Sequence, residues 1–262
     1  MIRKKVYLSV FSIVVCLAIV ISTLFIVNAA KKHTSWLEAI SADAYDFPIL
    51  PDVNKEEWAK LESAVEKNAV LQIPEDKLKS MSIDGLIATC MKYPNLVPLF
   101  AFNSPVEGIE KMIKDFNGLS ELLSREDAGA ALVEFYSSLD LDSLLATDKY
   151  PSFRLQLLEY IIAHPSILSK VSDRKELLEA AYQMAELKQR KYSEELDVKP
   201  TLLILARILE MDYPEIAEQL KNHEAFSHFL ETGNIMVSYE GEWDEILSEM
   251  EKGVQSIIDS IE

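Results

Sequence analysis

Residues 172–192 read SDRKELLEAAYQMAELKQRKY, a stretch in which apolar side chains recur at helical spacing. The apolar positions are Leu177, Leu178, Ala181 and Met184. Intervals of three and four residues put them on one face, which predicts a long amphipathic helix. The stretch ends in the bases Lys188, Arg190 and Lys191. Cations complement the dipole at a helix C-terminus, so we interpret these bases as a helix end and not as a binding patch.

The same spacing recurs on both sides of this stretch, from residue 55 to the end of the chain. Prolines that a first helical turn tolerates divide the pattern into segments. It predicts helices at residues 55–70, 74–79, 83–92, 94–102, 105–116, 119–123, 125–139, 151–163, 174–192, 200–211, 214–221, 224–231 and 242–261. Ser104 and Glu107 fit a capping box before one of them. One short strand, Ile235 to Tyr239, is the β candidate.

Composition supports the same fold class. The chain has seven glycines in 262 residues, and tight β-hairpins most often need glycine. Its 49% hydrophobic content is enough for a sizeable core. We therefore predict an all-α fold in one domain.

A Tyr-Pro pair recurs three times, at Tyr93, Tyr150 and Tyr213, with intervals of 57 and 63 residues. Apolar residues stand two and six positions after each proline: Leu96, Phe153 and Ile216, then Phe100, Leu157 and Leu220. Repeated helix starts are typical of a stack of helical hairpins, an α–α superhelix of the HEAT or armadillo kind, with an extended surface for protein partners. Tyr-Pro is equally a convenient helix junction in an irregular bundle. Both architectures stay open at this point.

The N-terminal segment predicts export. Arg3, Lys4 and Lys5 precede an uncharged, mostly apolar run from Val6 to Ala30, which is long enough for a helix that crosses a bilayer. Residues 1–30 are therefore a signal-anchor transmembrane helix or a signal peptide cut near Ala29. Residues 31–54 form a tether, whose aromatic side chains can dock on the domain, and residues 55–262 form the acidic helical domain outside the cytoplasm.

Charge excludes several classes of ligand. The whole chain carries a formal charge of −17, and because the first thirty residues hold three bases and no acid, the remainder has 43 acids against 23 bases, or −20. A surface this anionic repels phosphate backbones. Nucleic-acid binding is not expected, and no small molecule is inferred.

Two motifs resemble metal-binding sites, but their spacing does not fit such sites. His223, Glu224 and His228 resemble a zinc-peptidase helix, but a spacing of five turns the imidazoles about 140° apart. Asp140 and Asp142 begin like a calcium loop, but Leu144 replaces the third oxygen ligand, and we interpret the motif as a helix cap.

Cys90 is the lone cysteine after the apolar run, and we interpret it as a small buried hydrophobe. We assign no catalytic, metal or cofactor-binding residue.

Two blocks of sequence are similar to a family of bacterial exported proteins without a known activity. The first block holds Ile73, Pro74, Leu78, Ser82, Cys90, Tyr93 and Pro94. The second holds Phe116, Asn117, Gly118, Leu119, Glu121, Leu122, Arg125, Asp127 and Ala128. The chain departs from the family pattern at Ile83, where a threonine is usual. The resemblance implies an exported helical domain and brings no activity with it.

Three functional hypotheses follow. The first is a protein-binding or scaffold module without catalytic activity, anchored outside the cytoplasm or secreted, with a protein partner of unknown identity. The second is an extracytoplasmic hydrolase whose carboxylates converge only in the fold. The third is a structural component of the cell envelope.

Overall fold

A computed structural model of the chain describes residues 35–40, 42–235 and 240–260. The part from Trp36 onward is one compact unit of helices, with no strand among the described residues, so the predicted all-α class is confirmed. None of these helices is both long and apolar enough to cross a bilayer. The apolar run from Val6 to Ala30, and residues 236–239 of the predicted strand, lie outside the described residues.

Sixteen α-helices follow a short 3-10 turn at Glu38–Ile40 in the described residues. They are α1 Lys55–Ala59, α2 Ala64–Val70, α3 Glu75–Ser80, α4 Ile83–Lys92, α5 Pro98–Ala101, α6 Pro105–Asp115, α7 Asn117–Ser124, α8 Ala128–Ser137, α9 Leu141–Thr147, α10 Pro151–Ala163, α11 Pro165–Leu168, α12 Arg174–Lys191, α13 Lys199–Asp212, α14 Pro214–Leu220, α15 Glu224–Thr232 and α16 Glu240–Asp259.

Several predicted helices differ from the observed ones for local reasons. The segment at 55–70 is two helices, because Ser63 and Glu66 form a capping box that starts a new one. The segment at 94–102 contains only α5, so Pro94 does not begin a helix, whereas Pro151 and Pro214 do. The short helices α9 and α11 were not among the predicted segments.

Helices α10 and α13 lie at the centre of the unit. Every side chain from Leu155 to Ala163 is buried, and so is every one from Pro200 to Leu209 except Arg207. Helix α13 contacts α10, α12, α14, α15 and α16. A helix that is buried all around packs against neighbours on every side, which explains why these two organise the others.

The two blocks of sequence that resemble exported bacterial proteins pack against each other. Asn117 accepts a hydrogen bond from the Ile73 backbone N–H at 3.0 Å and donates one to the Ile73 carbonyl at 2.8 Å. The rings of Tyr93 and Phe116 stack with centroids 4.1 Å apart. Arg125 donates to the carbonyl of Leu78 at 3.1 Å. These residues therefore hold α3 and α4 against α7, which is a structural role.

Residues 35–40 and 42–54 pack on the helices. Leu37 and Phe47 are buried in the core, and Phe47 has its ring against Tyr93 and Phe116. The backbone N–H of Tyr45 donates to the Thr89 hydroxyl at 2.8 Å. Aromatic anchors and a backbone hydrogen bond thus fix this segment to α4.

A fully buried ion pair joins four of the helices. Lys188 of α12 donates to both carboxylate oxygens of Glu159 of α10, at 2.8 and 2.7 Å, and both side chains are at most 1% exposed. The hydroxyls of Tyr136 (α8) and Thr201 (α13) donate to the same carboxylate at 2.8 and 2.7 Å. Lys188 also donates to the Asp197 carbonyl at 2.9 Å. Burial and the adjacent carboxylate raise the pKa of Tyr136 well above its usual range.

Removing one member of this pair should destabilise the fold strongly. We expect Glu159→Gln or Lys188→Met to lower the free energy of unfolding by about 3–5 kcal/mol, because each leaves a buried partner without its counter-charge. The double variant Glu159→Leu with Lys188→Met should be more stable than either single variant.

Urea unfolding of the full chain in mild detergent, followed by tryptophan fluorescence, measures these differences. Lys79→Ala, which breaks the exposed pair with Glu75, is the control and should change little. Equal effects of Lys188→Met and Lys79→Ala would contradict the structural role of the buried pair.

Candidate interaction surface

Helices α8 and α12 pack side by side and leave a groove on their outer face. The groove consists of two cavities of about 440 and 310 Å³ that share Ser137 and Glu176. The first is lined by Ala130, Val133, Glu134, Ser137, Ser138, Val171, Ser172, Asp173 and Glu176. The second is lined by Tyr136, Ser137, Leu139, Glu176, Glu179, Ala180, Gln183, Met184 and Leu187. We call these residues the acidic groove.

Helical spacing explains why these side chains line one surface. Apart from Tyr136, the lining positions on α8 are 130, 133, 134 and 137, and on α12 they include 176, 179, 180 and 183, followed by 184 and 187. Both sets follow the i, i+3, i+4, i+7 pattern of one helix face. The face on α12 extends over about 16 Å at 1.5 Å per residue, so the groove offers about three helical turns of contact.

Two local features position the helices that form the groove. Gly129 lets α8 lie close to the loop that precedes α12, since a Cβ at this position would lie 2.5 Å from the Lys170 carbonyl oxygen. Asp173 starts α12 by accepting hydrogen bonds from the backbone N–H groups of Lys175 and Glu176. The acidic groove therefore lies beside the N-terminus of α12.

The acidic groove combines an apolar floor with an anionic rim. Its floor includes Val133, Val171 and Met184, which are buried, and Leu187, which is 41% exposed. Its carboxylates are Glu134, Asp173, Glu176 and Glu179, and no lysine or arginine is among the lining residues. Such a surface is complementary to apolar side chains flanked by cations.

The structure does not bring the histidine motif together as a metal site. His223 precedes α15, and its Nε2 is 3.6 Å from a carboxylate oxygen of Glu249, whereas His228 is within α15. No group of three or more His, Cys, Asp or Glu side chains with metal-site geometry occurs in the part of the chain that the structure describes.

The calcium-like motif is a helix start, as predicted. Asp140 caps α9 by accepting a hydrogen bond from the Ser143 backbone N–H at 3.1 Å. The carboxylate of Asp142 instead accepts hydrogen bonds from Lys191 and Tyr192 at the end of α12. Both acids therefore have structural partners.

The basic stretch at 188–191 is the C-terminal turn of α12, which confirms the interpretation as a helix end. Its first residue differs from the others, because Lys188 is 1% exposed and holds the buried carboxylate of Glu159. The sequence alone groups Lys188 with Arg190 and Lys191 at the helix end and does not reveal this role.

Glu159 is the buried acid among the described residues, and it does not face a second carboxylate. Its hydrogen-bond partners are Lys188, Tyr136 and Thr201, and the side chain is 0% exposed. A substrate reaches this group only if the core opens. Accessible carboxylates line the acidic groove, and the exposed acids Glu186, Glu251 and Asp259 line two further cavities beside α12 and α16. The sequence pattern singles out none of these acids.

No protein-family model, curated protein or solved structure matches this chain. The resemblance to exported bacterial proteins therefore stays a prediction.

Cys90 is fully buried in α4, and burial raises the pKa of its thiol. We expect the native Cys16→Ser variant to react with a thiol reagent such as DTNB only as fast as it unfolds, because the thiolate is the reactive form. The same protein in urea is the control and should react completely. Fast labelling of the native protein would show that Cys90 is accessible.

The same burial predicts a loss of stability at high pH. In the unfolded chain the thiol loses its proton near pH 8.5, whereas in the folded protein it keeps it. The unfolded state then binds fewer protons, so the free energy of unfolding falls as pH rises above about 8.5. Replacement of Cys90 by Ala should remove part of this pH dependence in urea unfolding measured between pH 7 and 9.5.

Proposed function

We propose that this chain is a protein-binding module without catalytic activity, and that its acidic groove binds a basic amphipathic helix of a partner protein. The observation that carries the proposal is the composition of the groove. Four carboxylates line an apolar floor, and no lysine or arginine is among the described lining residues. An amphipathic helix with apolar residues on one face and Lys or Arg on its flanks complements both features.

The shape of the groove supports a helix as the bound element. Helices α8 and α12 lie side by side, and a third helix packs naturally between two neighbours. Leu187, which is 41% exposed in the groove, offers an apolar contact for such a helix. The accessible floor is small, so the rim charges contribute to specificity and to the rate of association.

On architecture, we propose an irregular bundle and not a regular stack. In a linear stack each unit contacts only its neighbours, whereas α15 contacts α6, over one hundred residues earlier in the chain. The three Tyr-Pro pairs also differ, since Tyr93 is buried and Tyr150 is 38% exposed. An irregular bundle does not require the extended concave surface of a regular stack, so the local groove is the candidate binding site.

On location, we propose that the module lies outside the cytoplasm and that the run from Val6 to Ala30 anchors it in the membrane. The support is the length of that run and the three bases before it. The family-like blocks are consistent with export. Cleavage near Ala29 would release the same module, and N-terminal sequencing of the mature protein distinguishes the two outcomes.

A designed peptide tests the acidic groove directly. The probe is a labelled synthetic helix of about twelve residues, or about 18 Å, with Leu on one face and Lys on the flanks. We expect it to bind the full chain. The triple variant Glu134→Lys, Glu176→Lys, Glu179→Lys should bind it with an affinity reduced by a factor of roughly ten or more, because three attractive pairs become repulsive. Fluorescence anisotropy at two salt concentrations measures the affinity.

Matched controls separate the acidic groove from the overall charge. The triple variant Glu218→Lys, Asp244→Lys, Glu245→Lys makes the same change in net charge at exposed positions outside the groove lining. It should bind the probe nearly as well as the natural chain. The proposal fails if both triple variants lose the probe equally, or if a peptide of the same composition in scrambled order binds as tightly.

A photo-crosslinking residue then identifies the natural partner. Gln183 is exposed in the acidic groove, and Glu218 is exposed outside it. Crosslinking from position 183 and not from 218 should capture a protein with a basic amphipathic helix. Recovery of the same proteins from both positions would contradict a specific site.

A further inference from the structure

A second surface of the unit is apolar and aromatic. Its centre is Phe100, Tyr150 and Phe153, which are 49, 38 and 41% exposed, and Val97 and Phe102, which are 68 and 44% exposed, lie beside Phe100 in the chain. The ring of Phe153 lies 4.5 Å from that of Phe100 and 6.5 Å from that of Tyr150, between centroids. We call these residues the aromatic patch. Exposed apolar side chains that contact one another mark an interaction surface.

Two of these residues occupy positions of the Tyr-Pro pattern whose counterparts are buried. Phe153 and Phe100 stand at the second and sixth positions after a Tyr-Pro pair, like Leu96 and Leu157. Leu96 and Leu157 are buried, whereas the two phenylalanines are exposed. Because the helices of the unit leave these side chains uncovered, a partner outside the described residues would have to cover the aromatic patch.

The charges beside the aromatic patch balance, unlike those of the rest of the unit. Lys149 forms an ion pair with Asp52 and lies 4.9 Å above the ring of Tyr150. Arg154 lies 3.8 Å from Asp148. These two bases and two acids sum to zero, so this surface does not repel an anionic headgroup layer as a strongly acidic one does. A lysine next to exposed aromatic rings is also typical of the membrane interface.

The described chain begins next to the aromatic patch. The indole Nε1 of Trp36 donates to the Asp148 carboxylate at 3.2 Å, and the same carboxylate accepts from the Tyr150 backbone N–H at 2.7 Å. Five Cα–Cα steps separate Ala30 from Ser35, which is at most about 19 Å. If the run from Val6 to Ala30 lies in the bilayer, this end of the unit is therefore close to the headgroup layer.

We propose that the aromatic patch docks on the headgroup layer of the membrane that holds the N-terminal run. Tyr150, Phe153 and Phe100 partition into the interface, and the Lys149 ammonium reaches lipid phosphates. The occupant is a lipid surface, because the chain enters the unit at this place and the local charge is neutral. The inference rests on retention of the N-terminal run and is independent of what the acidic groove binds.

Quenching by lipid tests the contact in the full chain. The protein, as a Cys16→Ser variant with buried Cys90 kept, is reconstituted in phosphatidylcholine vesicles. A bimane label is attached at Asn103→Cys, next to Phe102, or at Glu218→Cys as the control position. We expect a nitroxide-headgroup lipid to quench the label at 103 at least about threefold more than the label at 218, since contact quenching needs close approach.

Substitutions in the aromatic patch should remove the difference between the two labels. In the variant Phe100→Ser, Phe102→Ser, Phe153→Ser, we expect the lipid to quench the labels at both positions equally. If the triple variant folds poorly, Phe102→Ser alone is used, and it should reduce quenching of the label at 103. Urea unfolding followed by tryptophan fluorescence, measured on the same variants, should give a cooperative transition like that of the natural chain and thereby shows that they are folded.

Two results would overturn the proposal. One is quenching at 103 no greater than at 218 in the natural patch. The other is a label at 103 that is shielded from aqueous iodide but not quenched by the lipid, which would show that protein covers the aromatic patch, either a second copy or another part of this chain.

Discussion

The ammonium group of Lys188 in the dry interior is the interaction on which the arrangement of the helices depends. A charge removed from water is tolerated only when a counter-charge and enough hydrogen-bond acceptors surround it. Here the Glu159 carboxylate, the Thr201 hydroxyl and the Asp197 carbonyl take these positions. Because these groups come from different elements, the requirement fixes α10, α12 and α13 relative to one another more narrowly than apolar packing does.

The same requirement orients the acidic groove. At about 100° per residue, positions 176, 180, 183 and 187 of α12 cluster about 110° around the helix from Lys188. Once Lys188 points at Glu159, the rotation of α12 is fixed and this face turns towards α8 and solvent. Tyr136 of α8 donates to the same carboxylate, so the second wall of the groove is held by the same network.

The helices were largely predictable from sequence because their signals are local. Two of them, α4 and α10, have the predicted bounds, and the side chains of Asp140 and Ser104 each cap a helix by accepting a backbone hydrogen bond. The pairing of Lys188 with Glu159 was not predictable, because the two residues are 29 positions apart and lysine is almost always exposed. The acidic groove was missed for a related reason. Acids on a helix face are usually solvated charge, and only the packing of α8 beside α12 gathers four of them around an apolar floor.

The two proposed surfaces can act together because α8 separates them. Phe135 of α8 stacks on Trp36 with ring centroids 5.8 Å apart, and Trp36 in turn is hydrogen-bonded to Asp148 beside the aromatic patch. The groove positions 130, 133, 134 and 137 centre about 150° around α8 from Phe135. The side of α8 that faces the entry of the chain is therefore nearly opposite the side that lines the acidic groove. A unit docked on lipid through the aromatic patch leaves the acidic groove open to a partner, and the repulsion of its carboxylates by anionic headgroups favours that orientation over the reverse.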